Sequence, residues 1–267
     1  MHLISLGAGV QSSTMALMAT HGEIRPMPTG AIFADTLAEP ASVYKWLDWL
    51  EPRLAFPVYR VSQGEGLALD ALLIRKRKDG EGSWVPSAIP HYTINGDGSN
   101  GHGPRQCTQD FKIAPLLREI RRLLRQHGAR EATSWIGLSL EEVYRMKPSR
   151  VSYCTNIWPL IERGFRRDDC LRWMKRNGYP EPPRSACVFC PYHSDQEWRR
   201  LKDEEPLEFQ KAVDFERAYG LAKMQTVGMR PFLHASRVPL AEVDFSTDLE
   251  RGQLSLWANE CEGMCGV

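Results

Sequence analysis

Two sets of residues in this chain have types and spacings suited to chemistry. The first is the opening stretch MHLISLGAGVQSST, residues 1–14, where an apolar run breaks at Gly7 and Gly9 and continues into Ser12, Ser13 and Thr14. Glycine permits backbone angles and close approaches that a Cβ blocks, and the N–H groups that open a helix carry the positive end of its dipole. With hydroxyl donors added, such a turn can receive a phosphate, although the same residues also suit a plain turn before a helix. The second set is sulfur. Seven cysteines is an odd number, and the N-terminus has no basic region followed by an apolar stretch and a cleavage site. A disulfide framework is therefore not expected, and metal or thiol chemistry gains weight. Cys187 and Cys190 form a CxxC, Cys261 and Cys265 stand in the closing CEGMCGV, and Cys107 follows a loop rich in Gly and Asn. Thiolates select zinc or iron–sulfur clusters, and a CxxC serves either. Cys154 and Cys170 read as structural, and His193, three residues past the CxxC, as structural or solvent-facing rather than a ligand.

The elements that must position these residues follow from periodicity. Apolar runs at 2–6, 30–34, 57–61, 132–138 and 155–161 read as strands. Helical spacing follows Ser12, Pro40 and Gly66 and recurs at 114–127 and 168–176. Alternating strands and helices predict parallel βαβ units, a Rossmann-like doubly wound α/β sheet. The breaker-rich segment 79–105 reads as one long mobile loop with little apolar periodicity, of the kind that tends to be functional or disordered. We expect a nucleotide-binding α/β domain over 1–178 and a CxxC-bearing helical and loop extension over 179–267, packed on the same domain. In such a sheet ligands enter at the carboxyl ends of the strands, where Gly7, Asp35 and Gly137 are delivered. Asp35 suits a ribose hydroxyl or Mg²⁺ there, or simply ends the strand in a turn. Glu39 can instead cap the next helix.

Composition bounds the rest. The 267 residues are 42% hydrophobic and 25% charged with a net charge of +1, an ordinary globular balance. No run of 18 apolar residues is present, so no membrane span is expected, and a cytoplasmic protein is. The basic clusters at 75–78 and 118–126 read as solvated faces, because near-neutral net charge gives no general argument for nucleic acid.

Several stretches together resemble the phosphoadenosine phosphosulfate (PAPS) reductase family, within the adenine-nucleotide α-hydrolase or ATP pyrophosphatase (PP-loop) superfamily. GAGVQSS resembles the superfamily's pyrophosphate loop, with Gly7 and Gln11 in place of its first Ser and its Asp. FADTLAEPASVY is similar to the Asp-Thr strand-end motif, IGLSLEEVYR to the Gly-Ile-Arg motif with Ser139 for Arg, and NIWPLIE to a later strand motif. RQCTQDFKIAPL resembles the segment carrying the first cysteine pair of iron–sulfur members, with Gln106 in place of one cysteine. Cys107 and Cys187 are 80 residues apart, close to the spacing in that subgroup, and Glu260-Cys261 with Cys265-Gly266 is similar to the reductases' terminal thiol segment.

The resemblance implies an adenine-nucleotide site at Ser5, Gly7, Gly9, Gln11, Ser12, Ser13, Asp35, Thr36 and Gly137. It favours a 4Fe-4S cluster, with zinc as the alternative, on Cys107, Cys187, Cys190 and Cys261, and Cys265 as the nucleophilic thiol. Cys265 in place of Cys261, or an unligated fourth iron, stays open as a choice. Three functions are then weighed. One is ATP-dependent adenylylation of an acceptor for thiolation, with Mg²⁺, a sulfur-donor protein and tRNA, DNA or a small metabolite as acceptor. Another is thioredoxin-dependent reduction of PAPS or adenylyl sulfate to sulfite. The third is a noncatalytic zinc-stabilised nucleic-acid-binding protein. A homodimer is also among the expected assemblies.

Overall fold

His2–Ser5 (β1) buries side chains on both faces, as a central strand of a parallel sheet must. Leu3 packs with Ile32 and the cluster of Ile120, Leu123 and Leu124. Its neighbour Ile4 packs on the opposite side with Phe33, Met15, Trp46, Trp135 and Trp173. The computed structural model describes residues 1–73, 75–76, 83–84 and 89–246, with no side-chain account of 75–76, 83–84 or 227. Among these the chain divides into two compact units, one from Met1–Gln63 with Gln109–Ser185, the other from Gly64–Thr108 with the described residues from Ala186 on.

The first unit is built on five parallel strands. Besides β1 they are Gly30–Asp35 (β2), Val58–Ser62 (β3), Ala132–Ile136 (β4) and Cys154–Ile157 (β5), in the order β3-β2-β1-β4-β5. Ser5 is level with Ile32 of β2 and Ile136 of β4. The order reverses at β1, so the loops leaving β1 and β4 diverge over one crevice, the usual ligand position in such sheets. Val10–Thr20 (α1), Ala41–Leu50 (α2) and Arg167–Arg176 (α4) supply one apolar face. Ala114–Gln126 (α3) supplies the other. The doubly wound α/β architecture expected from the sequence is present.

Helix α3 buries Ile120, Leu123 and Leu124 and exposes Arg118, Arg121, Arg122 and Arg125. Two of those arginines lie over tyrosine rings, Arg121 over Tyr153 at 4.7 Å and Arg122 over Tyr59 at 5.6 Å. Long basic side chains thus cover apolar surface while their heads stay in water, which is the solvated face read from the sequence. Cys154 and Cys170 are buried, 5% and 0% exposed, and burial pushes both thiols upward, that of Cys170 to about 12. Both are packing residues.

In the second unit Tyr92–Ile94 and Asn100–His102 form an antiparallel hairpin, and Pro231–Phe232 pairs with the first of them. A short pair, Arg75–Lys76 with Ser83–Trp84, helices Leu67–Leu72, Asp195–Glu204 and Pro206–Val227, and a 3-10 turn Leu240–Glu242 complete it. The buried Glu216 carboxylate accepts the N–H groups of Leu233 at 2.8 Å and Leu240 at 2.7 Å, fixing one loop at both ends. Rings run in contact from Phe189 through Phe215 and Tyr219 to His91.

Two readings of local structure need correction. Segment 155–161 is not a strand throughout: it leaves β5 at Ile157, and Pro159–Glu162 is a helical turn, because proline at N1 pre-sets the helical angle. The breaker-rich segment is not one long loop either. Its Asn95, Asp97 and Gly98 make the hairpin turn, with Gly98 at φ +81° and the Asp97 side chain accepting the Ser99 N–H at 2.9 Å, so the breakers mark a turn between strands. Among the described residues no helix is long and apolar enough to cross a membrane.

The His91 ring is 5% exposed, and burial lowers its pKa from 6.5 to about 4. A depressed pKa means the folded state binds the proton less well than the unfolded state. The stabilisation is therefore present above pH 6.5 and is lost as pH falls through 4. Its full size is on the order of 3 kcal/mol. Urea denaturation should show a smaller difference in stability between pH 7 and pH 4 for His91→Gln than for the native chain, by up to that amount.

Candidate functional site in the first unit and the cysteine set of the second

Past β1 the backbone turns sharply. The left-handed position falls on Ala8, at φ +59°, and on neither of the glycines that flank it. Gly7 and Gly9 have room for a Cβ, whose nearest neighbours would lie at 3.6 and 3.8 Å. Gly9 caps α1 without any side-chain bond to the first helical turn. That turn therefore presents its N–H groups at the positive end of the helix. Ser12 Oγ accepts the Gly7 N–H at 3.1 Å and closes the loop. The other hydroxyls are committed to packing: Ser13 Oγ accepts Trp46 Nε1 at 2.9 Å, and Thr14 Oγ1 donates to the Val10 carbonyl at 2.8 Å. Ser12, rather than a row of three hydroxyls, is the one at the loop.

The loop after β4 meets this turn edge on. A Cβ built on Gly137 would lie 2.8 Å from both Cα and N of Ser12, closer than real side chains approach backbone. Gly137 is the glycine the site cannot replace. Beyond it Ser139, fully buried, caps the turn Leu140–Arg145 in a capping box with Glu142. Gln11 Nε2, on the first turn of α1, donates to Ser139 Oγ at 3.3 Å and to Glu142 Oε2 at 3.1 Å. Arg145 pairs with Glu142 in turn. Ser139 thus does not leave the site without a cation, since an arginine enters the same network through Glu142.

The β2 end completes the arrangement. Asp35 Oδ1 accepts the Leu37 N–H at 2.7 Å and the Tyr44 hydroxyl at 2.9 Å, so the strand-end turn weighed from sequence is real. Burial and the bond to Asp35 hold the Tyr44 hydroxyl well above its ordinary range. Leu37 is left-handed at φ +55°. Glu39, 5% exposed, accepts from Thr36 at 3.5 Å, Lys112 at 3.4 Å and Ser185 at 3.3 Å, and is a bonded buried charge rather than an exposed helix cap. Ser185 also lies 3.8 Å from the Cβ position of Gly9, which brings the β1 loop and the β2 end together.

The first unit therefore gathers Gly7, Gly9, Gln11, Ser12, Asp35, Thr36 and Gly137 at one end of its sheet, with Ser13 just behind and Ser5 at the last position of β1. Lys112, Glu142, Arg145 and Ser185 were not singled out in the sequence. Lys112 has a visible signal, since it is the one lysine of RQCTQDFKIAPL and sits in a π-helical turn, Thr108–Ile113, a form that recurs at functional sites. The other three are legible only once the loops meet.

The described cysteines of the metal set lie in the second unit. Cys187 is 9% exposed, Cys107 and Cys190 are half-buried, and none is in a disulfide. The Cys190 N–H bonds to the Cys187 carbonyl at 2.9 Å, and His193 Nε2 meets the same carbonyl at 2.9 Å, so His193 braces the turn. Burial raises the Tyr192 hydroxyl, and the charges of Cys190 and Cys107 add to the rise against Arg105. Burial likewise raises Tyr92, aided by Cys190. Two phenols therefore stand by the thiols, a feature absent from the sequence reading. Among the described residues no three His, Cys, Asp or Glu side chains are placed together to hold a metal ion. The donor chemistry suits a thiolate-bound cluster, and two of the expected thiols, Cys261 and Cys265, lie outside the described residues.

Replacing Gly137 by alanine must push the β4 loop off the start of α1. Gly137→Ala should lower stability by about 1–3 kcal/mol, read by urea denaturation. Gly9→Ala, with space for its methyl, should cost far less in the same measurement.

No family model and no curated protein matches the chain. Solved structures similar to it include the phosphoadenylyl-sulfate (PAPS) reductase of Candida auris in its phosphate complex. That likeness has 14% identity and a TM-score of 0.41 and covers 68% of this chain and 74% of that one. The U34-tRNA thiolase NcsA of Methanococcus maripaludis with its 4Fe-4S cluster is another, at 13% identity and a TM-score of 0.36, covering 91% of this chain and 80% of that one.

Proposed function

We infer that the chain is an ATP-dependent sulfur-transfer enzyme of the PP-loop kind. The observation that carries this is the meeting of the side-chain-uncapped start of α1 with Gly137, beside a pair of cations held by buried or half-buried carboxylates, Lys112 by Glu39 and Arg145 by Glu142. Helix-start N–H groups and nearby cations suit a polyphosphate and stabilise the charge that develops on it. In the proposed reaction an acceptor oxygen attacks the α-phosphorus of ATP and pyrophosphate leaves toward the Gly7–Ser13 loop. A sulfur nucleophile then displaces AMP. Asp35, whose bonds fall on Oδ1, offers Oδ2 to a ribose hydroxyl or Mg²⁺. The thiols at 107, 187 and 190 in the second unit, with 261, are the proposed ligands of a 4Fe-4S cluster, and Cys265 the proposed nucleophile. A sulfur-donor protein and a tRNA or DNA acceptor are the matching proposed partners.

Pyrophosphate release from ATP should depend on a candidate acceptor, and Lys112→Ala should lower kcat/KM by about 10²–10³-fold. Sulfite formed from adenylyl sulfate or PAPS with thioredoxin, without pyrophosphate release from ATP, would replace this reading by the reductase. Iron and sulfide in an anaerobic preparation are expected for a cluster. Zinc alone in a colourless protein would overturn it.

A further inference from the structure

A second group of chemically active side chains lies in the second unit, apart from its cysteines. His234 Nε2 is 2.9 Å from Asp195 Oδ1, and His234 Nδ1 is 2.7 Å from Ser236 Oγ. The Ser236 N–H also points to Nδ1, at 3.2 Å. An atom receiving an N–H is the unprotonated ring nitrogen, so this bond pattern assigns the ring proton to Nε2, facing the carboxylate. The Ser236 hydroxyl then donates to Nδ1. Nucleophile, base and orienting acid are thus in series, with the two ring nitrogens exchanged relative to the common serine-hydrolase arrangement.

The surroundings hold this series in place. His234 is 8% exposed, while Ser236 and Asp195 are exposed, so the base is sheltered and the hydroxyl can be reached. Phe245 meets the His234 ring edge on at 5.7 Å. The loop that carries both residues is tied at its two ends by the buried Glu216, through Leu233 and Leu240. Between them Arg237 is left-handed at φ +59°, and its side chain bonds to the carbonyls of Thr93 at 3.0 Å and Ala235 at 2.8 Å. A strained residue beside a bonded nucleophile is the kind of backbone that persists only where surrounding contacts over-determine it. Asp195 opens the helix Asp195–Glu204, where the helix dipole favours its charge.

We propose that Ser236, with His234 as general base and Asp195 as positioning residue, is a nucleophilic serine that takes an acyl group from small activated esters. Ser236 Oγ bonds to the carbonyl carbon as its proton passes to His234 Nδ1. The ester C–O bond breaks, and the leaving alkoxide recovers that proton. Water, deprotonated in the same way, releases the carboxylic acid.

The full chain treated with p-nitrophenyl acetate and mapped by peptide mass spectrometry should carry an acetyl group on Ser236. Ser99 is the internal control, an exposed serine bonded to a carboxylate, Asp97, at 2.6 Å, and it should react at least about tenfold more slowly. His234→Gln should slow acylation by about 10²-fold or more. Asp195→Asn should slow it about tenfold with an unchanged melting temperature, and Asp195→Glu should restore part of the rate. Ser236→Ala should remove the label while leaving pyrophosphate release from ATP intact. Acetylation of Ser99 as fast as Ser236, or no loss of rate in His234→Gln and Asp195→Asn that remain folded, would overturn the proposal and leave these bonds as a brace for the loop.

Discussion

The approach of the β4 loop to the first turn of α1, with no side chain between them, is the constraint on which the first unit's site depends. Gly137 lets the loop lie against the Ser12 backbone, where a Cβ would come within 2.8 Å. That approach puts Gln11 in reach of Ser139 and Glu142, and Glu142 in turn holds Arg145. Sheet order supplies the opportunity, because β1 has β2 on one side and β4 on the other. The missing side chain turns adjacency into a shared network.

Charge is arranged on the same principle of local compensation. Glu39 would be costly as an isolated buried carboxylate, and Thr36, Ser185 and the Lys112 ammonium are among the donors that satisfy it. Lys112 keeps a third of its side chain exposed, so the carboxylate fixes where the cation stands without enclosing it. Glu142 treats Arg145 similarly. Each cation is oriented by an acid from its own unit, a preorganised arrangement for attracting an anion.

Much of this was legible in the chain. Strand positions and the alternation of Leu3 with Ile4, or Ile32 with Phe33, encode a sheet buried on both faces, and the helical periods encode what covers it. The loops Gly7–Ser13, Asp35–Thr36 and Gly137 could be assigned to one sheet edge because parallel topology leaves few alternatives. Residue type alone did not show how each position would be used. Gly7 and Gly9 stand out in the sequence, and the left-handed conformation belongs to Ala8 between them. The Ser13 hydroxyl oxygen accepts from Trp46. The hairpin at Tyr92–His102 was hidden because its strands are only three residues each, too short for alternation to show. The Ser236, His234 and Asp195 series could not be read because Asp195 lies 39 positions from the histidine.

The left-handed backbone at Ala8 and Leu37 has a consequence for which sequences this scaffold can accept. Burial suggests that position 8 should admit any small side chain and that Leu37, half exposed, should be freely variable. Torsion angle rules otherwise. Valine, isoleucine and threonine are branched next to the backbone and are outliers at positive φ, so they are barred from both sites whatever space surrounds them. Glycine and asparagine are the natural replacements, and variation among relatives of this chain at these positions should follow backbone handedness rather than hydrophobicity.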